Sequence, residues 1–401
     1  MVVGRRRFMT LAGSAALGAL APTSTRARHG LVSLFLCGDV MTGRGVDQVL
    51  PHPSDPRIYE PYAKSALDYV RLAETKNGPI AKPVGYSYVW GDALGELERR
   101  APDVRVINLE TSITKYDEPA PKGINYRMSP ENARCISAAR IDCCVLANNH
   151  ILDWGSAGCV ETLETLHGMH VKTAGAGHES ARAAAPAILQ AASGFRILVF
   201  GLGSVTSGIP ASWAATVTKP GVHLLPDLSE KSARSVAQQV RASRRSTDIV
   251  VASIHWGSNW GYRIPKEHRA FAHRLIDEAE VDIVHGHSSH HPRGIEIYRG
   301  KPILYGCGDF INDYEGIRGH ESYRGDLSLM YFLAMDPNTR KLVHLEMPAF
   351  QIERFRLKHA SKTDAQWLCD TLAREGRKLG TTVALIKDNT LRVLPDRGSR
   401  D

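Results

Sequence analysis

The chain has 401 residues, a hydrophobic fraction of 43% and a formal net charge of +8. That length can bury one large core or two ordinary ones, and no low-complexity tract argues for disorder. Four of the charges (Arg5, Arg6, Arg7, Arg26) lie in residues 1–27, which hold no Asp or Glu, and the mild remainder without a Lys/Arg run gives no support to a nucleic-acid partner.

Arg5-Arg6-Arg7-Phe8-Met9-Thr10 precedes a weakly apolar segment, Leu11 to Ala21. A basic start, a short apolar stretch and a small-residue exit describe an export signal over residues 1–27. The Arg pair followed by x-Phe-Met resembles the twin-arginine signal, an address read by a receptor. Pro22 disfavours cleavage after Ala21, so Thr25-Arg26-Ala27 is the better cleavage site. The apolar segment is shorter than the ~20 residues that span a bilayer. The expected location is periplasmic or extracytoplasmic.

Leu31 to Cys37 reads as a buried strand ending in the Gly-rich turn Gly38-Asp39-Val40-Met41. Residues 51–90 carry many Pro and Tyr residues and read as a loop-rich insertion over that strand's exit, with a short helix from Lys64 to Glu74. Asp92 to Arg99 is helical. Val104 to Ile107 is a strand ending in Asn108-Leu109-Glu110-Thr111, Glu131 to Ala139 is helical, and Ile141 to Ala147 is a strand ending in Asn148-Asn149-His150, with Asp153 beyond. Ser156 is placed to cap a helix that buries Val160, Leu163 and Leu166 and stops at Gly168. Phe195 to Gly201 and Asp248 to Ile254 are strands, the latter ending in His255-Trp256-Gly257. Pro265 begins a helix with Phe271, Leu275, Ile276 and Ala279 on its apolar face.

Val281 to Val284 is a short buried strand opening onto His285-Gly286-His287-Ser288-Ser289-His290-His291. Four imidazoles in seven residues at a strand end suit a metal of the zinc type, with Gly286 leaving room for an ion. Lys301 to Tyr305, Leu327 to Met335 and Lys341 to Met347 are further strands. Thr363 to Gln366 reads as the capped start of a helix running to about Lys378, with Gly380 as its stop. Residues 348–401 complete the same domain, because no linker separates them. The seven cysteines form no C-x-x-C pair, and Cys37, Cys143 and Cys144 lie in apolar runs. They give neither a disulfide framework nor a thiolate metal site.

Apolar runs alternating with helical ones predict an α/β fold with largely parallel pairing. Ligand-type residues stand where strands end: Asp39, Glu110, Asn149, His255 and His287. Such sheets gather their sites outside the carboxyl ends of the strands.

The motifs Gly38-Asp39-Val40-Met41, Asn108-Leu109-Glu110-Thr111, Ala147-Asn148-Asn149-His150, His255-Trp256-Gly257, Gly286-His287-Ser288-Ser289-His290 and Lys301-Pro302-Ile303-Leu304-Tyr305-Gly306 stand in an order that resembles the CapA family. These are the poly-gamma-glutamate capsule synthesis proteins, and the resemblance covers residues 31 to about 315. CapA-like domains are similar in turn to calcineurin-like metallophosphoesterases. The resemblance implies a four-layer αββα sandwich over residues 31–347. It also implies one or two divalent ions (Mn, Fe or Zn) held by Asp39, Glu110, Asn149, His255, His287 and His290. His150 is then the acid for the leaving oxygen, oriented by Asp153. The chain departs from the phosphoesterase pattern at Met41, where a His ligand is usual, and at Asp309, where the family more often has Asn. Arg44 and Asn108 are the expected substrate-binding residues.

Two functions follow. One is a metal-dependent hydrolase acting on a phosphoester or on poly-gamma-glutamate, with membrane-associated capsule synthesis proteins as the expected partners. The other is a non-catalytic envelope protein that binds or guides such an anionic polymer.

Overall fold

Val32–Val40 (β1) is buried at every position, as a strand covered on both faces must be. Its side chains alternate between two cores: Val32, Leu34 and Leu36 enter one, Phe35 and Cys37 the other. β1 pairs in parallel with Val104–Leu109 (β2), and β2 in parallel with Cys143–Val145 (β3). Beyond β1 the sheet continues antiparallel through Tyr331–Asp336, Lys341–Glu353 and the hairpin Thr390–Pro395 with Thr381–Leu385. A second sheet places Arg196–Ser204 (β4), Ile249–His255 (β5), Ile283–His287 (β6) and Lys301–Leu304 (β7) side by side in parallel. Asp309–Ile311 (β8) then crosses back to pair with β1. This computed structural model describes residues 30–395 together with residue 1; Arg5 to Ala27, on which the export signal is read, lies outside the described residues.

Three cores define the layers. The middle one joins the inward faces of both sheets, for example Leu34 and Val106 from the first with Val199, Val251 and Ile283 from the second. Val46, Val70, Leu97, Leu163 and Leu166 cover the outer face of the first sheet from the helices Arg44–Val49, Leu67–Asn77, Ala93–Arg100 and Gly155–Gly168. Val236, Val240, Phe271 and Leu275 cover the second sheet from Glu230–Ser243 and Lys266–Asp277. The order is helix, sheet, sheet, helix: the four-layer αββα sandwich.

The expected parallel pairing holds around β1 to β3 and β4 to β7. It fails toward the C-terminus, where consecutive strands joined by short turns must run antiparallel. The last helix, Lys362–Arg377, is capped by Ser361, whose hydroxyl accepts from Asp364 N–H at 3.1 Å, two residues before the cap expected at Thr363. The helix after β3 begins at Gly155, ahead of Ser156, and carries no side-chain cap. All seven cysteines are buried free thiols, and no described helix is long and apolar enough to cross a membrane.

Candidate metal centre

Both sheets aim the carboxyl ends of their parallel strands at one edge of the sandwich. Asp39 is near the end of β1, and Glu110 follows β2. Asn149 and His150 lie in the turn after β3, and His255 and His287 end β5 and β6. Register brings them level: His255 is the partner of His287, and Asp39 of both Asn108 and Asp309. The close approach of β8 to β1 requires a glycine, because a Cβ on Gly38 would lie 1.6 Å from the Gly308 carbonyl oxygen. Gly286 also serves packing rather than an ion: its Cβ would meet the Leu304 carbonyl and the Trp256 ring at 2.5 and 2.7 Å. Ser288 holds a left-handed φ of 98°. Such strain costs about 1–3 kcal/mol and is commonest at functional sites. Its N–H is thereby turned to Asp39 Oδ2 at 3.1 Å.

Hydrogen-bond partners assign the tautomers of the buried histidines. The Cys37 carbonyl can only accept, so His285 donates to it from Nε2 at 2.7 Å, joining the two sheets. Burial lowers the His285 pKa to about 4, so the ring is neutral and Nδ1 accepts from the Ser253 hydroxyl at 2.9 Å. Ser253 Oγ then accepts from His287 Nε2–H at 3.0 Å. This leaves a bare lone pair on His287 Nδ1, 2.8 Å from His255 Nδ1 and 3.9 Å from Asp39 Oδ1. His255 Nε2 faces Asn149 Oδ1 at 2.9 Å. With Nε2–H donated there, His255 also turns a bare Nδ1 toward the same point. Two lone pairs and a carboxylate repel one another in the absence of a cation, and one divalent ion satisfies all three. The residues present therefore fit a metal.

Charge points the same way. Asp39, Glu110 and Asp309 are 1%, 3% and 3% exposed. Burial, then Asp309, raises the pKa of Asp39; burial, then Asp39 and Asp309, raises that of Glu110 well above its usual range. Burial holds His255 and His287 well below 6.5. Carboxylates crowded beside neutral imidazoles leave the pocket short of positive charge, which buried sites supply with paired groups or metals.

Glu110 Oε1 stands between the two flanks of the site, 3.7 Å from both His255 Nε2 and His150 Nε2. His150 Nδ1–H donates to Asp153 Oδ2 at 2.6 Å, and the ring stacks on Tyr126 at 3.8 Å. Lys122 Nζ lies 2.7 Å from Asp153 Oδ1 and donates to the Asn149 carbonyl. Burial is the main cause that lowers the His150 pKa to about 4, with Lys122 contributing. The resting ring is therefore neutral and presents a lone pair at Nε2, where the sequence-based expectation has a proton donor. His290 sits apart from the other imidazoles, with Nδ1 2.9 Å from Asp309 Oδ1. Against the lowering effect of burial, Asp309 holds its pKa above normal.

The two expected substrate-binding residues are held by buried hydrogen bonds, and Arg44 also lines the cavity beside Glu110 and His150. Arg44 is 3% exposed. Its Nε donates to Asp313 at 3.1 Å and its NH1 to Glu60 at 2.7 Å, while a second bond closes the fork on Asp313. Glu60 comes from the 51–90 insertion, so Arg44 ties that insertion to the segment after β8. Asn108 is fully buried; it donates to Asp39 Oδ1 at 2.7 Å and accepts from Asn148 at 3.1 Å. It orients Asp39 and does not line the cavity. His291, without a role in the sequence, accepts from Gly261 N–H at 3.0 Å and so places the neighbouring Trp260.

Glu110, Asn149, His150, Ser288 and His290 open onto a cavity of about 750 Å³, walled by Lys122, Tyr126, Trp260 and Tyr314. Sequence reasoning missed Lys122, Ser253, Trp260 and the position of Asp309. Only Asp309 carried a signal, since Gly308-Asp309 repeats Gly38-Asp39.

Sandwich and site together define a four-layer α/β protein with a candidate metal centre at its strand ends. The profile of the bacterial capsule synthesis protein PGA_cap family matches residues 33–314, and the chain belongs to that family. It is 49% identical to a probable polyglutamine synthesis accessory protein of Mycobacterium tuberculosis, over 91% of this chain and 96% of that one. It is 25% identical to the capsule biosynthesis protein CapA of Bacillus anthracis, over 76% of this chain and 65% of that one. A phosphatase structure from Mycoplasma pneumoniae aligns with 80% of this chain and 93% of its own at 12% identity and a TM-score of 0.43.

Proposed function

We propose that this protein is an exported, divalent-metal-dependent hydrolase in poly-gamma-glutamate or capsule synthesis, acting on a phosphoester or on the polymer itself. The observation that carries the reading is the meeting of Asp39, His255 and His287 beside the His150–Asp153 pair. Asp39, His255 and His287 would hold the ion, with Glu110 and Asn149 adjacent. Mixed oxygen and nitrogen donors suit Mn, Fe or Zn. A bound divalent ion supplies Lewis acidity, polarising the scissile bond and lowering the pKa of water.

The chain's own residues supply the proton transfers. Asp153 and Lys122 fix His150 with Nδ1 protonated and Nε2 bare toward the cavity. On a phosphoester, the attacking water forms the new P–O bond and gives its proton to His150 Nε2. The bond to the leaving oxygen breaks, and Nε2 returns the proton to that oxygen. Positioned proton transfer of this kind is worth roughly 10²–10⁴-fold. Export is proposed from Arg5-Arg6 and the apolar stretch that follows. The ligand class is an anionic polymer or phosphoester, and the partners are membrane-associated capsule synthesis proteins.

The test is metal analysis of the purified chain, followed by assays on a phosphodiester and on poly-gamma-glutamate. Turnover that is lost on chelation and restored by Mn or Zn is expected. Metal-dependent polymer binding without turnover on either substrate would replace the hydrolase by the polymer-guiding envelope protein.

A further inference from the structure

Tyr126 and Tyr314 take no part in the steps above, yet their hydroxyls meet at the cavity wall, 2.6 Å apart. Tyr126 ends an irregular loop and Tyr314 follows β8, so the contact joins segments 188 residues apart. Each ring is held in place. Tyr126 stacks on His150, with centroids 3.8 Å apart and planes 13° apart, and its N–H donates to Asp153 Oδ2 at 2.7 Å. Tyr314 stands edge-on to His290, with centroids 5.2 Å apart, and its N–H donates to Asn312 Oδ1 at 3.1 Å. The Arg44 guanidinium lies 4.7 Å from one ring centroid and 5.8 Å from the other. The pair therefore spans the cavity from the His150 flank to the His290 flank, beside Glu110.

A phenol titrates near ~10, so the two hydroxyls carry two protons at neutral pH. One proton lies in the bond between the oxygens. Whichever oxygen donates it, the other keeps an O–H that has no acceptor among the described residues. Tyr126 is only 3% exposed, and buried polar groups are seldom left without a partner. The cavity is where that partner belongs. An anionic oxygen suits it best, because a hydrogen bond to an ionised acceptor is about twice as strong as a neutral one.

We propose that the Tyr126–Tyr314 pair is a neutral donor clamp for the substrate oxygen that gains negative charge. That oxygen is a non-bridging oxygen of a phosphoester or the carbonyl oxygen of an amide. The proposal rests on the hydrolase reading above. One tyrosine touches the oxygen and is catalytic; the other positions it and polarises its O–H, as linked hydrogen bonds polarise one another. Arg44 is already neutralised by Asp313 and Glu60, which leaves this contact to the phenols. Donors fixed before the reaction need no reorganisation as charge develops.

The experiment uses the full chain loaded with Mn, as wild type, Tyr126→Phe, Tyr314→Phe and the double variant. Turnover is measured on bis(para-nitrophenyl) phosphate, and binding of inorganic phosphate by titration calorimetry. Metal content and melting temperature are recorded for each protein. The double variant should lower kcat by roughly 10²-fold with KM little changed, the usual loss on removing one oxyanion donor. Of the single variants, the one lacking the outer donor should fall nearly as far, and the one lacking only its support should fall less. Phosphate affinity of the double variant should drop about tenfold with metal content unchanged. Wild-type kcat and phosphate affinity in the double variant, with only the melting temperature lowered, overturns the clamp and leaves a structural tie between two loops. Wild type without turnover refutes the hydrolase reading, and phosphate binding then decides the clamp alone. Weakened binding in the double variant supports an oxyanion site without hydrolysis. Unchanged binding, or none in wild type, overturns the clamp as well.

Discussion

Replacing Arg44 by Met separates an anion-binding arginine from a buried tie. Its guanidinium meets Asp313 and Glu60, both fully buried, and lies 3.7 Å from the Tyr69 ring centroid and 4.7 Å from that of Tyr126. Removing one partner of a buried ion pair costs about 3–5 kcal/mol, because the orphaned carboxylates stay desolvated. At ~2.1 cal/mol/K per residue, a chain of 401 residues has an unfolding entropy near 0.8 kcal/mol/K. A loss of ~4 kcal/mol therefore lowers Tm by about 5 °C. Arg44→Lys should fall between, since a point charge replaces a fork. Arg44→Met/Glu60→Gln should regain part of the loss by removing one orphaned charge. The assay is calorimetry on metal-free protein, with phosphate and poly-gamma-glutamate binding measured alongside. An unchanged Tm in Arg44→Met with ligand binding abolished would refute the tie and restore Arg44 to the ligand.

His150→Asn should retain metal and lose turnover by roughly 10²–10⁴-fold, also with a nitrophenolate leaving group, because the attacking water must still give up its proton; near-wild-type turnover with metal retained would remove His150 from proton transfer. Asn149→Ala should lose metal and turnover together, through its contact with His255 Nε2; full metal occupancy would confine it to shaping the turn. Replacing Arg5 and Arg6 by Lys should leave a reporter fusion inside the cell, and unchanged export through the general secretory route would sink the twin-arginine reading. His268 is 2% exposed and stacks on Trp256, and burial, then Arg293, lowers its pKa to about 4. The unfolded chain, titrating near ~6.5, binds the proton first, so stability falls as pH drops from ~6.5 to ~4, by at most ~3 kcal/mol from this group. His268→Phe should flatten that part of the slope, and urea midpoints that track wild type from acid to neutral pH would contradict it.

Read alone, the sequence identified the strand ends. Asp39, Glu110, Asn149, His255 and His287 each follow an apolar run, and a parallel α/β sheet must deliver such residues to one edge. That inference needs only local periodicity and the rule that strand ends share a face. It could not tell which side chains meet. Arg44 finds Asp313 across 269 residues, a distance no window spans. Asp309 becomes the neighbour of Asp39 only because β8 leaves the second sheet to pair with β1. Ser253, an ordinary strand serine, sets the tautomer of His287 only because β6 lies beside β5. Lys122 comes from an irregular loop with no pattern to read, and reaches Asp153 by the path of that loop. Which residues can ligate is thus written in residue type and local pattern. Which atom of each faces the ion depends on register and on hydrogen-bond partners far along the chain, and those exist only in the folded molecule.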